Sequence, residues 1–572
     1  MQSIKNILPE WMRSYERSFL KFDLMAGLTV AILLLPQSMA YALLAGLDPI
    51  YGIYSIVFAL PIYALFGQQK TIAIGPAAMV AIMVATSLTP YYESGSAEYI
   101  TAAATLSMLS GAFLLLLGYI RFGFITNFIS RPVISGYSFA VGVLVIASQT
   151  KYLLDIQISS SNIYQAITGI FREVQEVFNW QLFIISLVAL AFLIVAKRIN
   201  QLFPAPLILM VIGIAAVYFF TDWFSFAPKI GAIPSELPQL SFDLFQFETI
   251  KNLWPSALIL SFIIYMDIST VSQVAQKETK FNGNREMKAM GLANIFGSFI
   301  NAFPISTSFG RSLLSSQSGA KTPLTSLTAV SVVICIVMIF KDVFALLPTF
   351  ILAVVVISTV ISLINFKESR AFFKADKSEF IVHILTILAT LTIGIKEGIV
   401  TGVVASIALV IYRSSHPHIA TLGYLPDAKI FMNVKRFERS IVYPGIKILR
   451  PDGQLFHGNI QALCKAIDSS ILEDADLRTI ILQCNAVNFI DSSAIKTLLR
   501  QNEICVSKGV KLLFCHITGP VRDQMRKWDF YETIGQDRFF NDTMSALNFC
   551  QGKELTEQTL ATQSNYQKLQ KK

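Results

Sequence analysis

The sequence predicts a polytopic α-helical membrane protein that carries a cytosolic α/β domain near its C-terminal end. Three observations carry this reading. Of the 572 residues, 54% are hydrophobic and only 15% are charged, with a mean hydropathy of +0.57. A water-soluble domain has about 25% charged residues, so most of this chain must face lipid. Apolar runs follow one another between residues 24 and 413, in roughly fourteen helical segments, several of them short or broken. Beyond residue 426 the pattern turns to short apolar strands alternating with helices.

Charge orients the membrane part. With the N-terminus placed inside, the inside loops carry Lys70; Arg121; Lys197 and Arg198; Lys277, Lys280, Arg285 and Lys288; Lys321; and Lys367, Arg370, Lys374 and Lys377. The outside loop "PYYESGSAEY" (90–99) has no Lys or Arg, while Lys341 and Lys396 each stand beside an acid. This is the positive-inside bias. It predicts a multi-pass protein of the plasma (bacterial inner) membrane with both termini cytoplasmic. It also accounts for the net charge of +9 without a nucleic-acid partner. The six cysteines lie far apart and form no C-x-x-C pair, so reduced thiols are expected and a metal cluster is not. No G-x-x-x-x-G-K-[ST] loop is present, so nothing supports an ATP-driven pump or another cofactor.

Four stretches hold groups that lipid cannot satisfy. In "GLTVAILLLPQSMAYALLAG" (27–46), Pro36 and Gln37 sit at mid-depth of a predicted span. Singly, Pro36 reads as an ordinary kink and Gln37 as a bond to a neighbouring helix. Tyr41 lies one turn beyond Gln37, and the polar stripe so formed suits a cavity or pathway. In "TIAIGPAAMVAIMVATSLTP" (71–90), the Gly75-Pro76 pair suits a helix that starts there, with Pro76 in its first turn. The apolar run beyond it is too short to span, which describes a half-helix opening at mid-membrane; the alternative is a full helix with a kink.

"NAFPISTSFGRSLLSSQSGAKTPL" (301–324) is the second such segment. Pro304 precedes it, and Ser306, Thr307, Ser308, Ser312, Ser315 and Ser316 make it too polar for lipid. Arg311 falls inside it. A charge within the membrane is costly and marks a function by default, unless it pairs structurally with a carboxylate. Finally, "LWPSALILSFIIYMDISTVSQVAQ" (253–276) places Asp267 deep in an apolar span, beside Ser269, Thr270 and Ser272. A buried carboxylate must be paired, protonated or bound to a cation, and each option suggests ion coupling; a plain Arg–Asp bridge is the alternative.

Two Gly/Pro-interrupted segments in corresponding halves point to the binding site of a secondary transporter. If the halves are inverted, segments 3 and 10 meet head to head, and their positive N-terminal ends share one anion. Arg311 then adds a full charge, and Gln37 and Tyr41 supply neutral hydrogen bonds.

At these residues the chain resembles the SulP family of anion transporters, the sulfate permeases. The resemblance rests on "LLLPQSMAYALLAGLDPIYGIYS" with "IAIGPAAMV", and on "GNREMKAMGLANIFGSF" followed by "SFGRS". It implies fourteen spans as two inverted repeats of seven, a core domain holding the anion, a gate domain and, frequently, a homodimer. It also implies that Gln37 and Tyr41, then Gly75, Pro76, Ala77 and Ala78, then Ser308, Phe309, Gly310, Arg311 and Ser312 bind substrate. Arg311 matches the basic residue of sulfate-type members. Asp267 falls where proton-coupled members usually carry Glu; a sodium-coupled bicarbonate branch has Asp there with a Thr four residues on. That later position is Val271 here, with Thr270 and Ser272 nearby, so a sodium site at Asp267 is incomplete.

The resemblance thus implies a secondary active transporter, not an enzyme. Its expected cargo is sulfate by proton symport, with sodium-coupled bicarbonate or C4-dicarboxylate transport as the alternative. An uncoupled anion channel and an anion-sensing signalling protein are the competing classes.

The expected boundaries are a cytosolic segment 1–20, a membrane domain 21–425, a cytosolic domain 426–552 and a polar disordered tail 553–572. In the cytosolic domain "GIKILRP", "RTIILQCN" and "VKLLFCHI" read as strands, and "NIQALCKAIDSSI", "SSAIKTLLRQNEI" and "GPVRDQMRKW" as helices. It resembles the STAS domain attached to most SulP members. In "FIDSSAIKTLL" (489–499), Asp491 is an expected helix N-cap with Ser492 and Ser493 in the first turn. The resemblance implies regulatory phosphorylation or a nucleotide contact there; simple capping is the alternative. The same domain is a surface for a soluble protein partner, which no residue names.

Overall fold

Backbone hydrogen bonding sorts the membrane unit into two sets of seven segments. The computed structural model describes residues 9–123, 130–156, 163–176, 178–200, 203–224, 226–231, 239–275 and 281–552. The tail expected to be disordered and the basic residues Lys277 and Lys280 lie outside them. The chain divides into two units, Met1–Ser406 and Ile407–Lys572.

The first set comprises segment 1 (Phe19–Leu44), segment 2 (Pro49–Phe66) and segment 3, in which strand β1 (Ile74–Gly75) leads into the helix Ala78–Leu88. Segments 4 to 7 are Ala97–Tyr119, Arg131–Leu154, Trp180–Ile199 and Ala205–Phe219. The second set repeats the order: segment 8 (Phe247–Ala275), segment 9 (Gly283–Ser298), and segment 10, in which strand β2 (Ser306–Thr307) leads into the helix Phe309–Gln317. Segments 11 to 14 are Leu324–Phe344, Thr349–Val360, Lys377–Thr392 and Ile395–Ser415. Each set has a half-helix third and a short extra helix between its fifth and sixth segments: α1 (Ile163–Glu176) and α2 (Phe366–Ala375). Because seven is odd, the second set enters from the opposite side and runs inverted. Among the described residues nine helices are long and apolar enough to cross a membrane, the one at Thr349–Ala375 counting segment 12 together with α2; the two half-helices and segments 7, 9 and 13 are shorter.

Loop hydrogen bonds join segment ends that strict alternation puts on one side. Asp23, at the start of segment 1, accepts from the Lys321 and Thr322 backbone N–H groups at 2.7 and 3.0 Å and from the Thr322 hydroxyl at 2.6 Å, all between segments 10 and 11. Glu286, at the start of segment 9, accepts from the Gln68 N–H at 2.8 Å and the Tyr63 hydroxyl at 2.6 Å, at the end of segment 2. On the other side, Tyr99 donates to the Ala45 carbonyl at 2.6 Å, and Ile230 N–H to Leu347 at 3.0 Å. Asp23 and Glu286 are both fully buried. Each is tolerable there because several donors, two of them N–H groups for Asp23, satisfy its oxygens.

Segments 1 and 2 touch backbone to backbone. A Cβ on Gly52 would lie 1.9 Å from the Ser38 carbonyl oxygen, so only glycine allows this approach. The contact lies beside Pro36 and Gln37, where the proline deprives segment 1 of a helical hydrogen bond. It fixes the wall of the site.

The second unit holds a six-stranded sheet in the order β4-β3-β5-β6-β7-β8. Its strands are β3 (Ile419–Leu425), β4 (Ile430–Asn433), β5 (Ile446–Pro451), β6 (Thr479–Gln483), β7 (Lys511–Cys515) and β8 (Phe539–Phe540). β5 to β8 run parallel, while β3 is antiparallel to both β4 and β5. Alternate residues face opposite sides: Ile480, Leu482, Leu512 and Phe514 join one core, Ile481, Leu513 and Cys515 the other. Helices α3 (Ile460–Glu473), α4 (Ser492–Ser507), α5 (Gly519–Arg526) and α6 (Phe530–Ile534) build the first core, and α7 (Thr543–Cys550) covers the second. The boundary expected at 425/426 is corrected by this sheet. β3 follows segment 14 almost without a linker, and its pairing with β5 makes it part of the C-terminal sheet.

Candidate functional site

The two broken segments meet. β1 and β2 pair antiparallel, with Ile74 opposite Thr307 and Gly75 opposite Ser306. The Ser308 N–H adds a bond to the Ala73 carbonyl at 3.1 Å, and the Ser312 hydroxyl accepts from the Ala73 N–H at 3.0 Å. Gly75 adopts φ +144°, which L side chains rarely reach, and a Cβ there would stand 3.2 Å from the Arg311 guanidinium. The chain can therefore turn from strand into half-helix only with glycine at this point.

Neither half-helix caps its own start. Ala77 precedes the first with no side chain able to cap, and Ser308 precedes the second without making a cap bond. Ser96, Asn179, Asn282 and Asp376 cap the starts of segments 4, 6, 9 and 13, whereas segments 1, 2, 5, 7, 11 and 12 also begin without a side-chain cap. The first N–H groups of a helix have no partner within it, and they carry the positive end of its dipole. Gly75, Pro76, Ala77 and Ser312 are buried, and Ala78 and Ser308 half-buried. Phe309, 50% exposed, and the exposed Gly310 open the second start outward.

Arg311 is fully buried. Its Nη1 donates to Gln37 Oε1 at 2.9 Å and its Nη2 to the Pro76 carbonyl at 2.9 Å, while Nε has no partner. Among the described residues no carboxylate pairs with it, so the Arg–Asp bridge, open from sequence, is not formed. A buried guanidinium without a counter-charge costs several kcal/mol, which a bound anion would recover. Arg311 also sets the Gln37 amide. Guanidinium offers only donors, so the amide oxygen faces it and the amide N–H₂ is left to donate elsewhere.

Tyr41 is buried beside this cluster, and its hydroxyl donates to Thr359 Oγ1 in segment 12 at 3.2 Å. The Thr359 hydroxyl itself donates to the Val356 carbonyl at 2.7 Å. The Tyr41 proton is thus engaged by segment 12 in this arrangement.

Asp267 is half-buried, and its Oδ2 accepts from the Ser306 hydroxyl at 2.9 Å. Ser306 stands opposite Gly75 in the two-strand ladder, which links the carboxylate to the site through one hydroxyl. Thr270 is exposed and Val271 is buried and apolar, so neither joins Asp267 in a shared oxygen cluster. Sequence reasoning missed Ser306 as the partner of Asp267, along with Thr359, Asp23 and Glu286. Serine and threonine in apolar spans are too common to single out without their contacts.

In the second unit Asp491 caps α4, accepting from the Ala494 N–H at 2.7 Å and from the His457 N–H at 2.9 Å. Burial pushes its carboxyl up, but these bonds and the His457 ring outweigh it and hold the group below the usual carboxylate range. Ser492 and Ser493 are exposed in the first turn. Burial raises the Cys464 and Cys505 thiols to about 11, which makes them inert. All six cysteines are free, and among the described residues no His, Cys, Asp or Glu group could hold a metal ion.

Comparison with known proteins agrees with this architecture. The profile described as "Sulfate permease family" matches residues 20–386. The chain belongs to the sulfate permease family. The profile described as "STAS domain" matches residues 439–546. A relative named "Probable sulfate transporter 4.2", from Arabidopsis thaliana, is 34% identical over 563 residues, covering 94% of this chain and 82% of its own. A probable sulfate transporter of Mycobacterium tuberculosis is 27% identical, covering 92% of this chain and 95% of its own. In structure, this chain superimposes on the murine Solute Carrier 26 family member A9 anion transporter in its inward-facing state. The TM-score is 0.86 at 22% identity, over 96% of this chain and 95% of that one. The transmembrane domain of the cyanobacterial bicarbonate transporter BicA gives 0.59 at 19% identity, over 69% and 98%. Those two likenesses concern the fold, which is the seven-plus-seven transporter fold with a C-terminal STAS domain.

Proposed function

We propose that this chain is a secondary active transporter that carries sulfate together with protons. The observation that carries the reading is Arg311: a buried guanidinium with no carboxylate partner, aimed between two uncapped half-helix starts. The free N–H groups of 78–80 and 309–311 supply donors, the Gln37 amide N–H₂ supplies another, and Arg311 supplies the full charge. Gly75 to Ala78 and Ser308 to Ser312 are the substrate backbone. A compact divalent oxyanion suits this concentration of positive potential. The naming of the relatives as sulfate transporters supports the same cargo.

Asp267 is the coupling group in this reading. When ionised it adds a negative charge near the anion and opposes binding. A proton removes that charge, so anion and proton enter together. A sodium ion would need several oxygens around the carboxylate. Thr270 is exposed and Val271 is apolar, so neither adds an oxygen to the Ser306 hydroxyl bonded to Asp267, which favours the proton. The chain works in the cytoplasmic membrane with both termini inside, as two copies, and the STAS domain is its regulatory surface, with Ser492 and Ser493 accessible for phosphorylation.

Sulfate uptake into proteoliposomes tests this, under an imposed proton gradient and separately under a sodium gradient, with bicarbonate and succinate as competitors. Proton-driven sulfate uptake is expected. Asp267→Asn should lose the gradient response while sulfate counterflow persists. Sodium-driven uptake of bicarbonate or succinate without sulfate uptake would overturn the reading.

A further inference from the structure

The two extra helices occupy equivalent places in inverted halves, so they lie on opposite sides of the membrane. Both present aromatic rings outward: Tyr164 and Phe171 from α1 are 73% and 70% exposed, Phe366 and Phe373 from α2 are 70% and 55%. Their charges differ. α1 carries Arg172 against Glu173 and Glu176. α2 and the first residue after its cap carry Lys367, Arg370, Lys374 and Lys377, all exposed.

The acids of this stretch are turned elsewhere. Glu368 accepts from the Ser135 hydroxyl at 2.9 Å, and Asp376 caps segment 13 by accepting from the Ser378 N–H at 2.8 Å. Glu379 is half-buried. Among the described residues none of the four cations pairs with a carboxylate. The outer face of 366–377 is therefore two aromatic rings among four unpaired cations. The opposite helix shows that the fold itself does not require these charges.

We propose that α2 is a docking site for anionic phospholipid headgroups of the cytoplasmic leaflet. A helix with aromatic residues and several Lys or Arg on its outer face lies in the membrane interface, where the rings enter the acyl boundary and the cations meet phosphate. This rests on the orientation read from the loop charges, which places α2 inside. The fold ties α2 to two membrane segments. Beyond the Glu368 bond to Ser135 of segment 5, the Ser369 hydroxyl shares a 2.8 Å bond with His383 Nε2 of segment 13. Phe372 packs on the same imidazole at 5.3 Å. Lipid bound at α2 thus stabilises the packing of segments 5 and 13.

The test is thermal melting of the full-length detergent-solubilised protein titrated with phosphatidylglycerol or with phosphatidylcholine. Phosphatidylglycerol should raise the Tm above the phosphatidylcholine value. Raising the salt to about 1 M, where the Debye length is about 3 Å, should erase the gain. Arg370→Gln should raise the phosphatidylglycerol needed for half the gain about fivefold. The combined Lys367→Gln, Arg370→Gln, Lys374→Gln and Lys377→Gln variant should melt as wild type in phosphatidylcholine and lose the gain. Lys197→Gln with Arg198→Gln, on another inside loop, should keep it. A full phosphatidylglycerol gain in Arg370→Gln and in the combined variant would overturn the proposal. So would an equal gain from inorganic phosphate, which would make the site one for a free anion.

Discussion

The starts of segments 3 and 10 share a backbone and differ in chemistry. Each is a two-residue strand leading into an uncapped half-helix, and the strands pair with each other. Segment 3 begins "IGPAAMVA", without a polar side chain; segment 10 begins "STSFGRSLLSS". The inverted repeat supplies two positive backbone ends, but only one half supplies a charge. In the proposed anion site the backbone geometry is thus symmetric, while the full charge comes from segment 10. A backbone dipole is cheap to duplicate because any sequence that turns there produces it. A buried guanidinium costs several kcal/mol, and a second one would repel the first.

The comparison breaks most plainly at Arg311. Arg311→Gln should lower sulfate uptake roughly 100-fold, the loss of a charge-assisted contact and of the lock on Gln37. If uptake were retained, the two helix starts would suffice and the asymmetry would be structural only. Glycine gives the next largest effect. Gly75→Ala should cost about 1–3 kcal/mol in thermal stability and reduce uptake, because φ +144° is strained for alanine and the new methyl faces Arg311. Gly310→Ala, where a Cβ meets nothing within 4 Å, should leave the thermal stability almost unchanged. Equal effects at the two positions would deny that the halves differ in crowding.

The smallest effect sharpens the contrast between open and capped helix starts. Asp491→Ala should destabilise the C-terminal unit by about 1 kcal/mol in denaturant melts, the usual value of a cap, and leave sulfate uptake unchanged. The Asp491 carboxyl is held below its unfolded value. Its contribution is therefore complete above about pH 4 and lost as pH falls through the lower, folded value. Asp491→Asn, which keeps an acceptor for Ala494, should flatten that acid limb.

Much of this was legible in residue order. Gly75-Pro76 marked the break before a helix start, although Pro76 stands two residues ahead of the first helical residue, Ala78, rather than in the first turn. Pro304 with its run of hydroxyls marked the second. Asp491 read as a cap, and the alternation of strands and helices in the C-terminal unit needed only periodicity. What failed to show was pairing at a distance. Asp267 and Ser306 are 39 positions apart, and Tyr41 and Thr359 are 318 apart. β3 was hidden for another reason: it begins almost at the end of a membrane helix, where an apolar run gives no sign that the solvent has changed.

By itself the sequence determined which segments cross lipid, where two of them break and which charges are too costly to stand in a membrane without a task. These follow from local composition and from the rule that backbone groups in lipid must bond within their own helix. Only the tertiary structure decided whom those charges meet. It directed Arg311 to Gln37 and Pro76 rather than to Asp267, gave Asp267 to Ser306, and turned the Tyr41 proton toward segment 12. Such choices are made by distances of about 3 Å between groups far apart in the chain, most of them from opposite halves of an inverted repeat, and no local pattern in the chain encodes them.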